Sequence, residues 1–250
     1  MVEKRWAILV CLVALAACAN VNARFDTGER ALSTGAWQQC IDEFERFKDD
    51  ADCASDPRCK QTRIDVAECR LRNGEPTKAF FELEDARPGA PSGSPLLARI
   101  ERLQKEAQDA LAARMTKAAG EGTLTVSFTS RVHDRMRFHH ARFFLDLHPI
   151  PTDNQPYVGG MTVLPVPPTS VGAGTHELEV TTVFAGHGIG VYSYLAGYKF
   201  TARSSQKVVV AAGKPLDVDV RVDDGDDLSV PMNDSLRMNL VVRAPDAPPR

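Results

Sequence analysis

The sequence lacks an excess of positive charge. Its 250 residues carry 30 Lys and Arg against 33 Asp and Glu, which gives a net charge of −3. A protein that binds nucleic acid needs a basic surface for the phosphates, so the composition argues against a nucleic-acid partner. Hydrophobic residues make up 43% of the chain, enough for a packed core in one or two domains.

The sequence also lacks the short motifs of common catalytic sites. It contains no Gly-x-Ser-x-Gly elbow. His176-Glu177 begins like the zinc motif His-Glu-x-x-His, but Val180 occupies the second His position. The glycine-rich segment 186–190 is not followed by Lys and Ser or Thr, so it does not predict a phosphate loop. We therefore predict a protein that is not an enzyme and that needs no cofactor.

Histidines and aspartates cluster without the spacing of a metal site. The histidines are His133, His139, His140 and His148. On a regular strand, His139 and His140 point to opposite faces and cannot bind one ion together. The aspartates are Asp217, Asp219, Asp223, Asp224, Asp226 and Asp227, and they lack the EF-hand spacing for calcium. We therefore predict surface side chains here and no metal site.

The N-terminus has the features of an export signal. An apolar run from Trp6 to Ala17 follows a short charged patch, and it is shorter than the roughly 20 residues that a membrane span needs. The run ends at Leu15-Ala16-Ala17-Cys18, which resembles the lipobox of bacterial lipoproteins. This resemblance implies that residues 1–17 are removed, that Cys18 is acylated, and that residues 18–23 form a lipidated N-terminus and tether.

The same resemblance implies a lipid-anchored location in the cell envelope. Ala19, the residue after the acylated Cys, is compatible with sorting to the outer membrane, facing the periplasm. A plain signal peptide, cleaved before Asn20 or before Arg24, is the first alternative. A retained membrane helix is the second alternative.

The remaining cysteines predict disulfides. Besides Cys11 and Cys18, the chain has Cys40, Cys53, Cys59 and Cys69. An even number within one short region fits disulfides formed in an oxidising compartment. Residues that face each other in an antiparallel helix pair have a constant sum of residue numbers, which favours nested Cys53–Cys59 and Cys40–Cys69 bridges. Metal binding by these thiols is the disfavoured alternative, because the region has neither Cys-x-x-Cys nor His.

A spacing pattern recurs in the first half of the chain. Buried-type residues follow Gly35 and Gly74 at five, nine and twelve positions: Cys40, Phe44 and Phe47 in one unit, and Ala79, Leu83 and Ala86 in the other. A small residue, Gly28 or Ala67, precedes each glycine by seven positions. The pattern resembles the tetratricopeptide repeat, a helix-turn-helix unit of 34 residues, although the two glycines are 39 residues apart. The resemblance implies antiparallel helical hairpins over residues 24–119.

A last helix follows a break in the repeats. Residues 88–93 are rich in Pro and Gly, and Ser94 and Pro95 suit the start of a helix. Apolar residues then recur at helical spacing, and they predict a long helix to about Ala119. We expect it to cap the repeats; the alternative is a helix that binds a partner.

From Gly122 the apolar period changes to two. Alternating segments lie near residues 124–128, 141–147, 178–184, 198–202, 208–210, 216–222 and 236–242. Gly, Pro and Asp separate them, and no helical pattern intervenes. We therefore predict an α+β protein of two domains, with an antiparallel β-sandwich over residues 122–243 and a Pro-rich tail at 244–250.

One strand segment resembles a known type of surface domain. Residues 172–180, Gly-Ala-Gly-Thr-His-Glu-Leu-Glu-Val, are similar to the opening strand of small bacterial surface β-domains that include PEGA-type modules. The resemblance implies a binding or structural module. Four tyrosines could bind a sugar or a protein if exposed, or pack in the core if buried: Tyr157, Tyr192, Tyr194 and Tyr198.

These observations predict a cell-envelope lipoprotein that serves, without enzymatic activity, as a protein-interaction or structural scaffold. Its expected partners are the lipid bilayer, reached through acylated Cys18, and an envelope protein. The first alternative is a module that binds carbohydrate or peptidoglycan, with a cell-wall glycan as partner. The second alternative is a metal-dependent envelope hydrolase.

Overall fold

The structure, a computed structural model, describes residues 21–50, 56–133, 136–152, 154, 161–187, 196–225 and 235–243. The chain divides into two compact units, Met1–Ala113 and Arg114–Arg250. Helices form the first unit and strands the second, so the predicted α+β class is confirmed. The predicted signal, Cys18, Cys53 and the tail lie outside the described residues.

The described part of the helical unit contains five α-helices. They are α1 (21–34), α2 (Trp37–Asp50), α3 (Arg58–Arg72), α4 (Pro76–Ala86) and α5 (Pro95–Ala112), with a short 3-10 turn at Arg87–Gly89. The chain is already helical at residue 21, three residues before the predicted start at Arg24. Of these helices, none has the length and apolar composition that a membrane span requires.

The repeat positions are buried where the sequence predicts. The side chains at five, nine and twelve residues after each glycine are all in the core. Gly35 and Gly74, at the turns between helices, have φ of 75° and 82°, a conformation that glycine adopts without steric cost. Gly28 allows α1 to approach α2, because a Cβ there would lie 2.6 Å from the Phe44 ring.

A disulfide between Cys40 and Cys69 joins α2 to α3, with the two Cα atoms 6.2 Å apart. Both cysteines are fully buried. This is the longer of the two bridges predicted from the helix pairing. Cys59 is also disulfide-bonded; Cys53, its predicted partner, lies outside the described residues.

The strand unit contains eight strands among the described residues. They are β1 (Lys117–Arg131), β2 (Met136–Leu145), β3 (His148–Ile150), β4 (Met161–Pro165), β5 (Thr169–Gly186), β6 (Lys199–Val210), β7 (Pro215–Asp224) and β8 (Leu236–Arg243). Their order in the sheet is β3-β2-β5-β1-β7-β8, with β4 beside β1 and β6 beside β5. The alternating segments predicted from the sequence fall in β1, β2, β5, β6, β7 and β8.

The boundary between the units differs from the prediction. Helix α5 ends at Ala112, not near Ala119, and β1 begins at Lys117, before the predicted Gly122. Gly120 does not end a helix: it has φ of 100° within β1, where the pairing with β5 shifts between Lys117 and Glu121. Glycine tolerates the backbone of such a bulge, so the strand continues through it.

The sheet is mixed, not wholly antiparallel. β1 pairs with β7 in parallel, with Val126 opposite Val218, whereas the other described pairings are antiparallel. The prediction of an antiparallel arrangement is therefore wrong at this pair. β1 and β7 are distant in sequence, so no tight turn forces them to run in opposite directions.

One hydrophobic cluster draws side chains from all eight described strands, and those of β8 are partly buried. Large aromatic side chains lie at its centre, with the Phe128 and Phe143 ring centroids 5.8 Å apart and those of Phe138 and Phe184 5.9 Å apart. Alternation along each strand supplies the cluster, because every second side chain points to the same face. The opposite faces are free to carry polar side chains.

Candidate functional sites

A network of ion pairs connects α3 to α5. Arg99 of α5 contacts Asp65 at 2.8 Å and Glu68 at 2.6 Å, both on α3. One helical turn further along α3, Arg72 contacts Glu106 of α5 at 2.9 Å. We call these five residues the α3–α5 charged face. The face combines three carboxylates with two arginines, so it presents paired charges of both signs.

Asp65 is the most buried member of this face, with its side chain 5% exposed. Its burial, opposed by Arg99, raises the pKa of the Asp65 carboxyl. Burial alone lowers the pKa of Arg99, but Glu68 and Asp65 raise it overall. Desolvation therefore dominates the pKa of Asp65, and the Arg99 guanidinium beside it only partly offsets that effect.

The raised pKa of Asp65 gives a prediction on stability. The folded state holds the Asp65 proton more tightly than the unfolded chain, so this group's contribution falls as the pH rises above the unfolded pKa of about 3.9. We expect Asp65→Asn to become more stable relative to wild type between pH 4 and pH 7, as measured by urea unfolding. Glu68→Gln, which removes the other carboxylate that contacts Arg99, is the control. An equal loss of unfolding free energy for Asp65→Asn at pH 4 and at pH 7 would contradict the prediction.

A cleft of about 260 Å³ lies at the ends of β1 and β7. It is lined by Arg131, Val132, His133, Asp223 and Asp224. The buried Asp224 carboxylate accepts from the backbone N–H of His133 at 3.1 Å and lies 2.8 Å from the ring Nδ1. Of the described residues that line it, none is a Ser, Cys or Lys nucleophile. The His133–Asp224 contacts join the end of β1 to the end of β7.

The prediction for His139 and His140 is wrong. They do not point to opposite faces: their Nδ1 atoms lie 2.7 Å apart and their ring centroids 4.9 Å apart. The cause is a bulge in β2, where the pairing with β5 shifts between Phe138 and His140. An extra residue in one strand breaks the alternation of side chains, and a period-two pattern cannot predict it.

Asp146 organises the turn between β2 and β3. Its carboxylate accepts from the Glu177 backbone N–H at 2.8 Å and lies 2.7 Å from Nδ1 of His176. Asp146 and Leu147 have φ of 51° and 64°, so Leu147 lies in a turn and not in the predicted strand. His176 is on β5, as predicted, and its contact with Asp146 explains it as a structural residue.

Two aspartates of β7 have assigned contacts: Asp219 forms ion pairs, and Asp224 accepts from the His133 backbone N–H. Asp219 contacts Arg243, with Nε at 2.7 Å, and lies 3.7 Å from Arg221. Asp226 and Asp227 lie outside the described residues. Within the part of the chain that the structure describes, no group of three or more His, Cys, Asp or Glu could hold a metal ion.

One of the four predicted tyrosines can be located. The side chain of Tyr198, just before β6, is 63% exposed. Tyr157, Tyr192 and Tyr194 lie outside the described residues. The sequence left open whether these tyrosines are exposed or buried, and for Tyr198 the answer is a surface position.

The chain matches no protein-family model, no curated protein and no solved structure. Its function is therefore argued from its own residues.

Proposed function

We propose that the chain is a cell-envelope lipoprotein, lipid-anchored through Cys18 and facing the periplasm, that serves without enzymatic activity as a protein-interaction or structural scaffold. The observation that carries the proposal is the recurrence of a helix pair, with buried side chains at the same intervals after Gly35 and after Gly74. Stacked helix pairs form extended surfaces that bind other proteins. The buried Cys40–Cys69 bridge supports an oxidising compartment.

In this proposal the helical unit is tetratricopeptide-like. α1 and α2 form the first hairpin, α3 and α4 form the second, and α5 caps them. The steric need for Gly28 against Phe44, and the burial of Ala67 at the matching position, support it. The added residues between Gly35 and Gly74 fall between α2, which ends at Asp50, and α3, which begins at Arg58.

The strand unit, by the same proposal, is a β-sandwich that binds or braces an envelope component. Its layers would be β3-β2-β5-β6 and β4-β1-β7-β8, joined where β5 pairs with β1. The shared hydrophobic cluster supports this arrangement, because two sheets in a sandwich bury their facing side chains together.

The α3–α5 charged face is where we expect an envelope protein to dock. Arg102 extends this face on α5, pairs with Glu106 at 2.6 Å and has a side chain that is 54% exposed. Glu101 lies on the other flank of α5, 3.5 Å from Arg87, and is 56% exposed. The two positions are neighbours in sequence with similar exposure, so they form a matched pair.

The test is site-specific photocrosslinking in intact cells, with the crosslinking residue at position 102 or 101. We expect position 102 to yield a discrete adduct with one envelope protein, identified by mass spectrometry, and position 101 to yield little or none. Equal adducts at both positions, or none at either, would refute docking on this face.

The anchor gives a second test. Cys18→Ser removes the thiol that the lipobox resemblance assigns to acylation, and we expect the protein to move from the membrane fraction to the soluble periplasmic fraction. One acyl chain binds membranes only marginally, whereas several chains anchor a protein firmly. Cys11→Ser, within the predicted signal, is the matched control and should stay membrane-bound. Persistent membrane association of Cys18→Ser would contradict the proposed lipid anchor.

Binding of a cell-wall glycan is a second candidate function, favoured by the exposed Tyr198 ring. An aromatic ring at the surface is a common platform for sugars and protein partners. Co-sedimentation with purified peptidoglycan, compared between wild type and Tyr198→Ala, tests it. Loss of co-sedimentation in the variant supports glycan binding, and an unchanged bound fraction removes this candidate.

A further inference from the structure

The outer face of β2, β5 and β6 carries a cluster of cationic side chains. The apolar residues Phe138, Phe184 and Phe200 of these strands point into the core. The residues that alternate with them along each strand therefore point outward. Across the three strands, Arg137 is opposite Ala185, which is opposite Lys199. Two residues before Ala185 on β5, Val183 is opposite His140 of β2. Two residues before that, Thr181 is opposite Arg142 of β2 on one side and Arg203 of β6 on the other.

This arrangement has the form of a shallow trough. The central strand supplies small side chains, Thr181, Val183 and Ala185, and long cationic side chains rise from the strands on both sides. Neighbouring strands are about 4.8 Å apart, so the two flanking strands are separated by roughly 10 Å. Flexible Arg and Lys side chains can close that distance around a small anion. Ala185 is only partly buried, so the trough is open at the Arg137–Lys199 end.

The trough is positive although the chain as a whole is negative. Four permanent cations lie on it: Arg137, Arg142, Lys199 and Arg203. Among the described residues, the nearest carboxylate on this face is Glu179, buried and 3.4 Å from Nε of Arg203 at the closed end. No carboxylate of the described strands faces the rows of Val183 and Ala185. An anion bound there would be attracted by the Arg137 guanidinium and the Lys199 ammonium group.

Two further observations point to the same end of the trough. The pKa of His140 is lowered, first by burial and then by the charges of His139, Arg142 and Lys199, which reports a positive local field. Arg137 contacts the His187 ring through Nη2. Its Nε is buried and has no hydrogen-bond acceptor in the structure. A buried donor without an acceptor is costly, and an anionic oxygen would satisfy it.

We infer that the Arg137–Lys199 end of this trough is a binding site for a phosphate group. Guanidinium and ammonium groups bind phosphate oxygens through charge-assisted hydrogen bonds. Arg137 supplies the planar donor, Lys199 the mobile point charge, and the adjacent His139 and His140 imidazoles further donors. The group is either free phosphate or the phosphate of a lipid headgroup, and both present the same oxygens. The site does not depend on the scaffold role proposed above.

The experiment titrates the purified full chain with inorganic phosphate at constant ionic strength, following the imidazole NMR signals of His139 and His140. We expect saturable shifts of these signals, with chloride producing none. Lys199→Gln should weaken binding at least tenfold, because it removes a charged hydrogen-bond donor to the phosphate. Arg137→Gln should do the same.

Lys207→Gln is the matched control. Lys207 is exposed on the same face of the same strand but opposite Glu177, eight residues from Lys199. We expect phosphate binding in this variant to equal that of wild type. Equal weakening by Lys199→Gln and Lys207→Gln would show a diffuse charge effect and overturn the site, as would the absence of saturable shifts. Thermal unfolding of each variant verifies that the fold is kept.

A vesicle arm distinguishes the two sources of phosphate. The Cys18→Ser chain, alone or combined with Lys199→Gln or Lys207→Gln, is sedimented with vesicles of phosphatidylcholine containing phosphatidic acid. Binding that Lys199→Gln reduces and Lys207→Gln leaves intact assigns the site to a lipid phosphate. Phosphate binding in solution without such a difference on vesicles assigns it to a soluble phosphate compound.

Discussion

Gly174→Ala is expected to destabilise the strand unit by about 3 kcal/mol or more. At this residue β5 changes neighbours: it leaves β1, opposite Lys117, and continues beside β6, opposite Val210. Gly174 has φ of +145°, a conformation nearly restricted to glycine that costs a side-chain-bearing residue about 1 to 3 kcal/mol.

A direct collision adds to this backbone cost. A Cβ at position 174 would overlap the backbone carbonyl oxygen of Thr116. The same oxygen accepts from the Thr175 N–H at 2.9 Å, so it cannot withdraw without losing that hydrogen bond. The obstacle is backbone and not a flexible side chain, and strand β1 has to shift to relieve it.

Gly172→Ala is the matched control for Gly174→Ala. Gly172 is two residues earlier on the same strand, and a Cβ there meets nothing within 4 Å. We expect its free energy of unfolding to stay within about 0.5 kcal/mol of wild type. Midpoints measured by circular dichroism for the three proteins decide the matter, and equal stability of both variants would refute the assigned role of Gly174.

Removing the Cys40–Cys69 bridge has the second largest expected effect. The bridge links residues 29 positions apart, and closing a loop of that length stabilises the folded chain by roughly 3 to 4 kcal/mol, mainly by restricting the unfolded state. Both cysteines are fully buried between α2 and α3. We therefore expect Cys40→Ala with Cys69→Ala to lower the unfolding free energy of the helical unit by about that amount.

The matched control is Cys53→Ala with Cys59→Ala, which removes the predicted shorter bridge. A shorter loop restricts the unfolded chain less, so its loss should cost about 1 kcal/mol less than loss of the longer bridge. Urea unfolding of the oxidised proteins, with thiols counted before and after reduction, gives the comparison. Finding Cys40 and Cys69 as free thiols in protein isolated from the native compartment would contradict both the bridge and the proposed location in an oxidising compartment.

The helical half was readable from sequence because its signals are local. The intervals after Gly35 and Gly74 correspond to one helix face, and a helix places residues three and four apart on the same side. The sum of residue numbers predicted the Cys40–Cys69 pairing for the same reason, since adjacent helices joined by a short connection run antiparallel. The end of α5 was misjudged because the residues beyond Ala112 have helical propensity but join β1.

The phosphate trough was missed although part of its signal is in the sequence. Lys199 and Arg203 are separated by an even number of residues on β6, which predicts a shared face. Arg137 and Arg142 are separated by an odd number on β2, which predicts opposite faces. The bulge at His139 restores them to one face, and no local pattern marks it.

Local periodicity in the sequence therefore determined most of the helical segments, six of the eight described strands and many of the side chains that face the core. Only the tertiary structure decided the parallel pairing of β1 with β7, the change of neighbours at Gly174, and the common face of Arg137 and Lys199. The physical reason is that helix and strand periods depend on residues a few positions apart. Strand partners and bulges depend on packing between segments that are distant in the chain.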